Sequence, residues 1–161
     1  MTEEKSVGPG VKFPPPLLFV GGLVVAWFLG SRVYNLPMFP SSVPPIVFRA
    51  LGYLFVLVGV GIAGWGMITF ARAHTAIIPN KPAASLVNTG PYRFTRNPMY
   101  TGMTIAYLGV AVHLNSGWSI LLLPLVLFLL HRFVIRREER YLSAAFGDTY
   151  ESYRSQVKRW I

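Results

Sequence analysis

The chain has 161 residues, enough for a single domain, and 53% of them are hydrophobic while only 13% are charged. Soluble domains carry about a quarter charged residues, so this composition and a mean hydropathy of +0.47 indicate a membrane protein. The absence of cysteine excludes disulfides and thiolate metal sites, and the net charge of +9 comes from basic residues that flank apolar stretches, which argues against nucleic-acid binding.

A polar, proline-rich leader precedes the predicted helices. Residues 1–16 lack the basic start and small-residue cleavage site of a signal peptide, so we expect a flexible leader followed by a single membrane domain over 17–161. Every span should be helical, because an open sheet edge cannot be satisfied in lipid. The sequence therefore predicts an all-α, polytopic protein with about four transmembrane helices, over residues 17–34, 46–70, 99–114 and 118–135.

The second predicted span carries small residues on one face. Gly59, Ala63 and Gly66 lie near one another on the helix, a spacing that lets a second helix approach its backbone closely. Helix packing is the favoured interpretation, and a pocket lined by glycine is the alternative.

The loop charges predict the orientation. The connections at 35–45 and 115–117 carry no charge, whereas the leader, the loop at 71–98 and the C-terminal segment carry the basic residues. With four spans, all the basic segments fall on one side, which the positive-inside rule makes cytoplasmic. Both termini are therefore expected in the cytoplasm.

The last two predicted spans form a hairpin, because the turn between them is only a few residues long. Their cytoplasmic ends then lie side by side, which places the junction GPYRFTRNPMYTG at 90–102 next to the acidic pair Glu138 and Glu139. No other acidic residue occurs between Glu4 and Glu138. After this pair, aromatic and polar residues alternate, which predicts an interfacial cytoplasmic tail that is helical and broken near Gly147.

The junction and the acidic pair have opposite chemical preferences. Asn97 and Pro98 suit the cap and first turn of a helix whose free N–H groups, together with neighbouring arginines, favour an anion. If the fourth helix continues past Ile135, Glu138 and Glu139 near its C-terminus need a compensating cation, such as an ammonium group. An anion site beside a carboxylate suits a zwitterion, and S-adenosylmethionine is one example. The alternative is a set of membrane anchors and a salt-bridged helix end.

Two sequence elements carry a family resemblance. LVNTGPYRFTRNPMYTG followed by EERYLSAAFGDTYESYRSQV resembles the integral-membrane methyltransferases, which include isoprenylcysteine carboxyl methyltransferases and phospholipid N-methyltransferases. The resemblance implies that S-adenosylmethionine binds in a cytosol-facing pocket within residues 71–161, with one of the two glutamates holding its amino group. Together with the chemistry of the junction, it predicts these cofactor-binding residues: Leu86, Val87, Gly90, Tyr92, Arg96, Asn97, Pro98, Met99, Tyr100, Glu138 and Glu139.

The predicted methyl acceptor is lipophilic and enters laterally from the bilayer, while the soluble cofactor enters from the cytoplasm. Arg132, Arg136 and Arg137 are the candidate substrate contacts, and no catalytic residue is assigned. Asn97 and Ala84 stand where the isoprenylcysteine enzymes have histidines, which weakens the case for a prenylated cysteine as the acceptor.

Other functions fit the sequence less well. The three histidines, His74, His113 and His131, lack metal-ligand spacing, so no metal is expected, and His74 is a candidate for a proton path. The main alternative is a non-enzymatic four-span scaffold or partner-binding protein. A small multidrug-type transporter ranks last, because the predicted spans contain no acidic residue. The oligomeric state is not predicted.

Overall fold

The computed structural model describes residues 9–11, 14–73 and 85–160. Over these residues the chain forms helices and no strand, which confirms the all-α prediction for this part of the protein. A 3₁₀ turn at Gly90–Arg93 precedes α3, and a π turn at His131–Ile135 joins α4 to α5. The helices are α1 at Pro16–Arg32, α2 at Pro45–Arg72, α3 at Pro98–His113, α4 at Gly117–Leu130 and α5 at Arg136–Gln156.

Four of these helices begin at residues that favour a helix start. Pro16, Pro45 and Pro98 each occupy the first helical position, where a missing N–H is not needed. Ser116 caps α4, since its hydroxyl accepts a hydrogen bond from the backbone N–H of Ser119 at 3.3 Å. The helix starts therefore agree with the predicted spans to within a residue.

Length and composition make two helices candidate membrane spans: α2, with 28 residues, and the continuous helix Gly117–Gln156. The apolar α1 has 17 residues and α3 has 16. Large apolar side chains face outward along the bundle; Trp27, Leu57 and Leu121 are 66%, 70% and 61% exposed. So large an exposed apolar surface is what lipid covers in a membrane protein.

Helices α2 and α3 are in backbone contact. A Cβ atom added at Gly59 would lie 2.5 Å from the backbone of Gly102 and Ala106, and one added at Gly66 would lie 2.8 Å from the Met99 side chain. The small-residue face of α2 therefore packs against α3, which confirms the packing interpretation over the glycine-lined pocket.

Helices α1 and α4 form the second close pair. A Cβ atom added at Gly22 of α1 would lie 2.6 Å from the Val126 side chain of α4. The buried Tyr107 hydroxyl of α3 donates to the Ser119 carbonyl of α4 at 2.9 Å. The side chains of α1 and α4 form the main core together with those of α3 and the π turn. The buried members of this core are Val11, Phe19, Tyr100, Tyr107, Val126, Leu130, Val134 and Ile135.

Both ends of the described chain pack onto this core. Val11 is only 4% exposed, and the Arg137 guanidinium donates to the Gly10 carbonyl at 2.8 Å. Trp160 is partly buried against the same cluster. The last part of the predicted flexible leader is thus docked at Gly10 and Val11, while residues 1–8 lie outside the described residues.

The tail helix folds back after a kink. Gly147 has φ +50° and ψ −128°, which is not helical, and this confirms the predicted break. Beyond the kink, Tyr150 and Tyr153 are buried. The Tyr153 hydroxyl donates to the Tyr92 carbonyl at 2.8 Å, so the second half of α5 lies against the 3₁₀ turn before α3.

Candidate functional site

The ends of the hairpin meet at a hydrogen bond between α3 and α5. The Tyr100 hydroxyl donates to Glu138 Oε1 at 2.7 Å across 38 residues of sequence. Glu138 lies beyond the apolar stretch that ends at Ile135. Burial raises the pKa of Glu138 to about 7; the hydrogen bond from Tyr100 lowers it and the neighbouring Glu139 charge raises it further. The structure therefore brings the junction and the acidic pair together, as predicted.

The two glutamates have different partners. Arg159 donates to both carboxylate oxygens of Glu139, from Nε at 2.9 Å and from Nη2 at 2.7 Å. Arg96 Nη1 adds a second ion pair with Glu139 at 3.2 Å. Glu138 has no ion pair among the described residues and accepts its one hydrogen bond from a neutral hydroxyl. Of the pair, Glu138 alone retains capacity for an external cation.

Two polar groups of the junction also lack partners. The Tyr92 hydroxyl and Arg96 Nε are buried and make no hydrogen bond with any described residue. Burial raises the pKa of Tyr92, and the nearby charge of Glu138 raises it further. Unpaired buried polar groups cost folding free energy. A ligand that offers a hydrogen-bond acceptor to the Tyr92 hydroxyl and a carboxylate to Arg96 Nε would stabilise both groups.

The C-terminal segment covers the start of α3. The backbone N–H of Arg96 donates to the Lys158 carbonyl at 2.9 Å. Thr95 Oγ1 and Asn97 Nδ2 both donate to the Arg159 carbonyl, at 2.9 Å and 3.0 Å. Asn97 occupies the N-cap position of α3, as predicted, but its side chain makes no capping hydrogen bond and its amide donates to the tail.

The remaining predicted cofactor residues lie toward α2 or before the 3₁₀ turn. Gly90, with φ +57°, lies against α2, since an added Cβ would be 2.8 Å from Thr69. Pro98 and Met99 approach α2 at Gly66. In the segment before the 3₁₀ turn, Leu86 is partly buried and Val87 is buried.

The three candidate substrate arginines do not form one cluster. Arg137 is engaged with the leader at Gly10. Arg132 is exposed, with its guanidinium 5.9 Å from the ring centroid of Phe133. Arg136 is also exposed, and its carbonyl accepts from Arg140 Nε at 3.2 Å. None of these contacts reaches Tyr100 or the acidic pair.

Sequence reasoning missed Arg159 as the partner of Glu139. A basic residue near the chain end has no local signal for a contact with a glutamate 20 residues earlier, and only the kink at Gly147 returns it there. Tyr150, whose hydroxyl lies 3.4 Å from Arg96 Nη1, belongs to the aromatic tail that the sequence did indicate. The predicted roles of His74 and Ala84 fall outside the described residues.

Comparison with known proteins identifies relatives of this hairpin. Residues 47–149 match the model of the phospholipid methyltransferase family. The chain is 34% identical over 138 residues to the protein-S-isoprenylcysteine O-methyltransferase of Schizosaccharomyces pombe, which covers 81% of this chain and 58% of the relative. It is 29% identical over 125 residues to the Saccharomyces cerevisiae protein of the same name, covering 76% and 52%.

A bacterial relative carries a different kind of name. The cobalt-zinc-cadmium resistance protein CzcN of Cupriavidus metallidurans is 31% identical over 94 residues, which covers 58% of this chain and 44% of the relative. The chain thus spans about half the length of the curated relatives it matches. No solved structure gives a significant match.

Proposed function

The chain belongs to the phospholipid methyltransferase family, and from that premise we propose that it is a membrane-embedded methyltransferase that uses S-adenosylmethionine to methylate a lipophilic acceptor. The observation that carries the proposal is the environment of Glu138. Among the described residues, this partly buried carboxylate accepts one hydrogen bond, from the neutral hydroxyl of Tyr100 in the junction. Two buried polar atoms of the same junction, the Tyr92 hydroxyl and Arg96 Nε, also have no described partner. A zwitterion with an ammonium and a carboxylate satisfies all three groups.

The proposed cofactor site divides the work between the two glutamates. Glu138 holds the ammonium group, and Tyr100 orients the Glu138 carboxylate by its hydrogen bond. Glu139 acts as a positioning residue, since its ion pairs with Arg96 and Arg159 join the start of α3 to the tail. When bound, S-adenosylmethionine supplies a methyl group on a cationic sulfur for in-line displacement by the acceptor.

The residues around the site contribute orientation and exclusion of water. Tyr92 and Arg96 supply unused polar atoms for the cofactor, and the tail residues at 157–160 cover the start of α3. A site shielded from water favours the reaction of an anionic or neutral nucleophile with a cationic donor. Alignment of the two reactants lowers the barrier further, so the proposal assigns no general base.

The proposed acceptor is a lipophilic molecule that reaches the site from the bilayer. The isoprenylcysteine relatives are named for O-methylation of a protein S-isoprenylcysteine, and the family is named for phospholipids. Both names describe acceptors with an apolar anchor. This common property supports a lipophilic acceptor, and the chemical group that receives the methyl is left open.

The proposed topology has four spans, with both termini and the cofactor site in the cytoplasm. The basic segments that flank the helices all fall on that side. Residues 17–161 form one membrane domain in this proposal, and the cofactor contacts lie within 71–161.

Binding of S-adenosylhomocysteine to the purified protein in detergent tests the site. We expect Glu138→Gln to weaken binding at least about tenfold, because a charge-assisted hydrogen bond to the ammonium is lost. Glu151→Gln is the matched control, since Glu151 lies on the same helix but is exposed and paired with Arg154. Calorimetry measures both affinities.

Two outcomes would contradict the proposal. Equal affinity of the Glu138→Gln variant and the wild type would remove Glu138 from the site. Absence of binding by the wild type at millimolar ligand would favour the non-enzymatic scaffold. Transfer of label from methyl-labelled cofactor to a membrane lipid extract then identifies the acceptor.

A further inference from the structure

A second cavity lies between the end of α2 and the segment before α3. Its volume is about 270 Å³, and it is lined by Trp65, Thr69, Arg72, Ala73, Thr89 and Gly90. We propose that this cavity binds the phosphate of a resident membrane phospholipid, distinct from the methyl acceptor. The proposal goes beyond the methyltransferase function and does not depend on it.

The described lining residues of the cavity present hydrogen-bond donors and no acid. The indole N–H of Trp65 and the guanidinium of Arg72 are donor-only groups, and neither has a hydrogen-bond partner among the described residues. The Thr89 hydroxyl is a third donor, whereas the Thr69 hydroxyl is already used toward the Trp65 carbonyl at 2.8 Å. Three donors and a full positive charge suit a phosphate.

The end of α2 also has an opposing effect. A helix C-terminus carries roughly half a negative charge, which disfavours an anion. Arg72 lies in the last turn of α2 and carries a full positive charge, so the sum at the cavity remains positive. An apolar site would not need this arginine among its lining residues.

The position of the cavity selects a lipid as the source of the phosphate. Trp65 is 48% exposed, and its ring centroid is 6.5 Å from that of Phe94, which is 66% exposed. Exposed aromatic rings at the end of an apolar helix are typical of the membrane interface. Met67 and Ile68 on the same turn of α2 are exposed and offer a surface for acyl chains.

The size and most of the walls distinguish the cavity from the proposed cofactor site, and Gly90 is the one predicted cofactor residue among its described lining residues. Its volume is below the range of about 300–1,000 Å³ that drug-sized ligands occupy, so it suits a headgroup better than a nucleoside. Tyr92, Tyr100 and Glu138 are not among its lining residues. Gly90 forms the wall on the loop side, where an added Cβ atom would lie 2.8 Å from Thr69 Oγ1 and 3.4 Å from Trp65 Nε1.

Native mass spectrometry of the purified full chain tests the proposal, with phosphatidylglycerol and a phosphate-free galactosyl diacylglycerol as probes. We expect the wild type to retain phosphatidylglycerol in preference to the galactolipid. Arg72→Gln should reduce the retained phosphatidylglycerol about tenfold, because a charge-assisted contact is lost. Trp65→Phe should reduce it by a smaller factor and leave galactolipid retention unchanged.

Arg93→Gln is the matched control, because Arg93 is an exposed arginine on the same segment that does not line the cavity. Equal phosphatidylglycerol retention by Arg72→Gln, Arg93→Gln and wild type would overturn the proposal. Displacement of the lipid by millimolar inorganic phosphate would assign the cavity to the free anion and overturn the lipid source. An unchanged melting temperature of Arg72→Gln shows that the variant is folded, and unchanged S-adenosylhomocysteine affinity separates this test from that of the methyltransferase site.

Discussion

Binding at Glu138 should depend on pH in a direction that the structure specifies. Burial raises the pKa of Glu138 to about 7 in the ligand-free protein, and an ammonium group binds only the ionised form. Ligand binding below that pH must therefore expel a proton. The ionised fraction is about nine-tenths at pH 8 and about one-tenth at pH 6, so the affinity should fall roughly tenfold between them, or about 1.4 kcal/mol.

Calorimetry with S-adenosylhomocysteine in two buffers of different ionisation enthalpy measures both the affinity and the protons released. We expect release of almost one proton per ligand at pH 6 and almost none at pH 8. The Glu138→Gln variant should bind S-adenosylhomocysteine weakly, with an affinity that does not change with pH. The exposed-residue control Glu151→Gln should keep the pH dependence of the wild type. A flat wild-type profile, or proton uptake on binding, would refute the assignment of the ammonium to Glu138.

Two further predictions concern packing and the tail. Gly59→Ala should destabilise the protein by about 1–3 kcal/mol in thermal unfolding, because its Cβ would lie 2.5 Å from the backbone of α3. Gly61→Ala has open space and should not destabilise the protein, since alanine is the better helix former. Equal melting temperatures of these two variants would contradict the close contact. Arg159→Gln should speed S-adenosylhomocysteine dissociation about fivefold, because the bidentate pair that ties the tail to Glu139 is lost. Arg154→Gln, which breaks an exposed pair, should leave that rate unchanged.

The contact between the two ends of the hairpin could be predicted from short-range sequence signals. A turn of a few residues forces α3 and α4 to be antiparallel, and the acidic pair lies just past the second helix, as the junction lies just before the first. The contact between Tyr100 and Glu138 is then a consequence of helix lengths. The packing face of α2 could also be predicted, because small residues on one face of an apolar helix usually serve close packing against another helix.

The partners within the site could not be read in the same way. Which glutamate is neutralised depends on Arg159, and Arg159 reaches Glu139 only because α5 bends at Gly147 and folds back over α3. Asn97 has the sequence signature of a helix cap, yet its amide donates to a tail carbonyl 62 residues later. A competing long-range acceptor cannot be recognised from the residues next to an asparagine.

The sequence by itself determined the class of the protein, its helices and the end of the bundle at which chemistry is possible. These features depend on composition, on the 3.6-residue period and on prolines and turns, all of which act within a few residues. Only the tertiary structure decided that Glu138 has no ion pair with any described residue, that the leader docks through Val11, and that a donor-lined cavity opens beside Arg72. Each of these results from the packing of segments that are distant along the chain, where small differences in geometry select one partner over another.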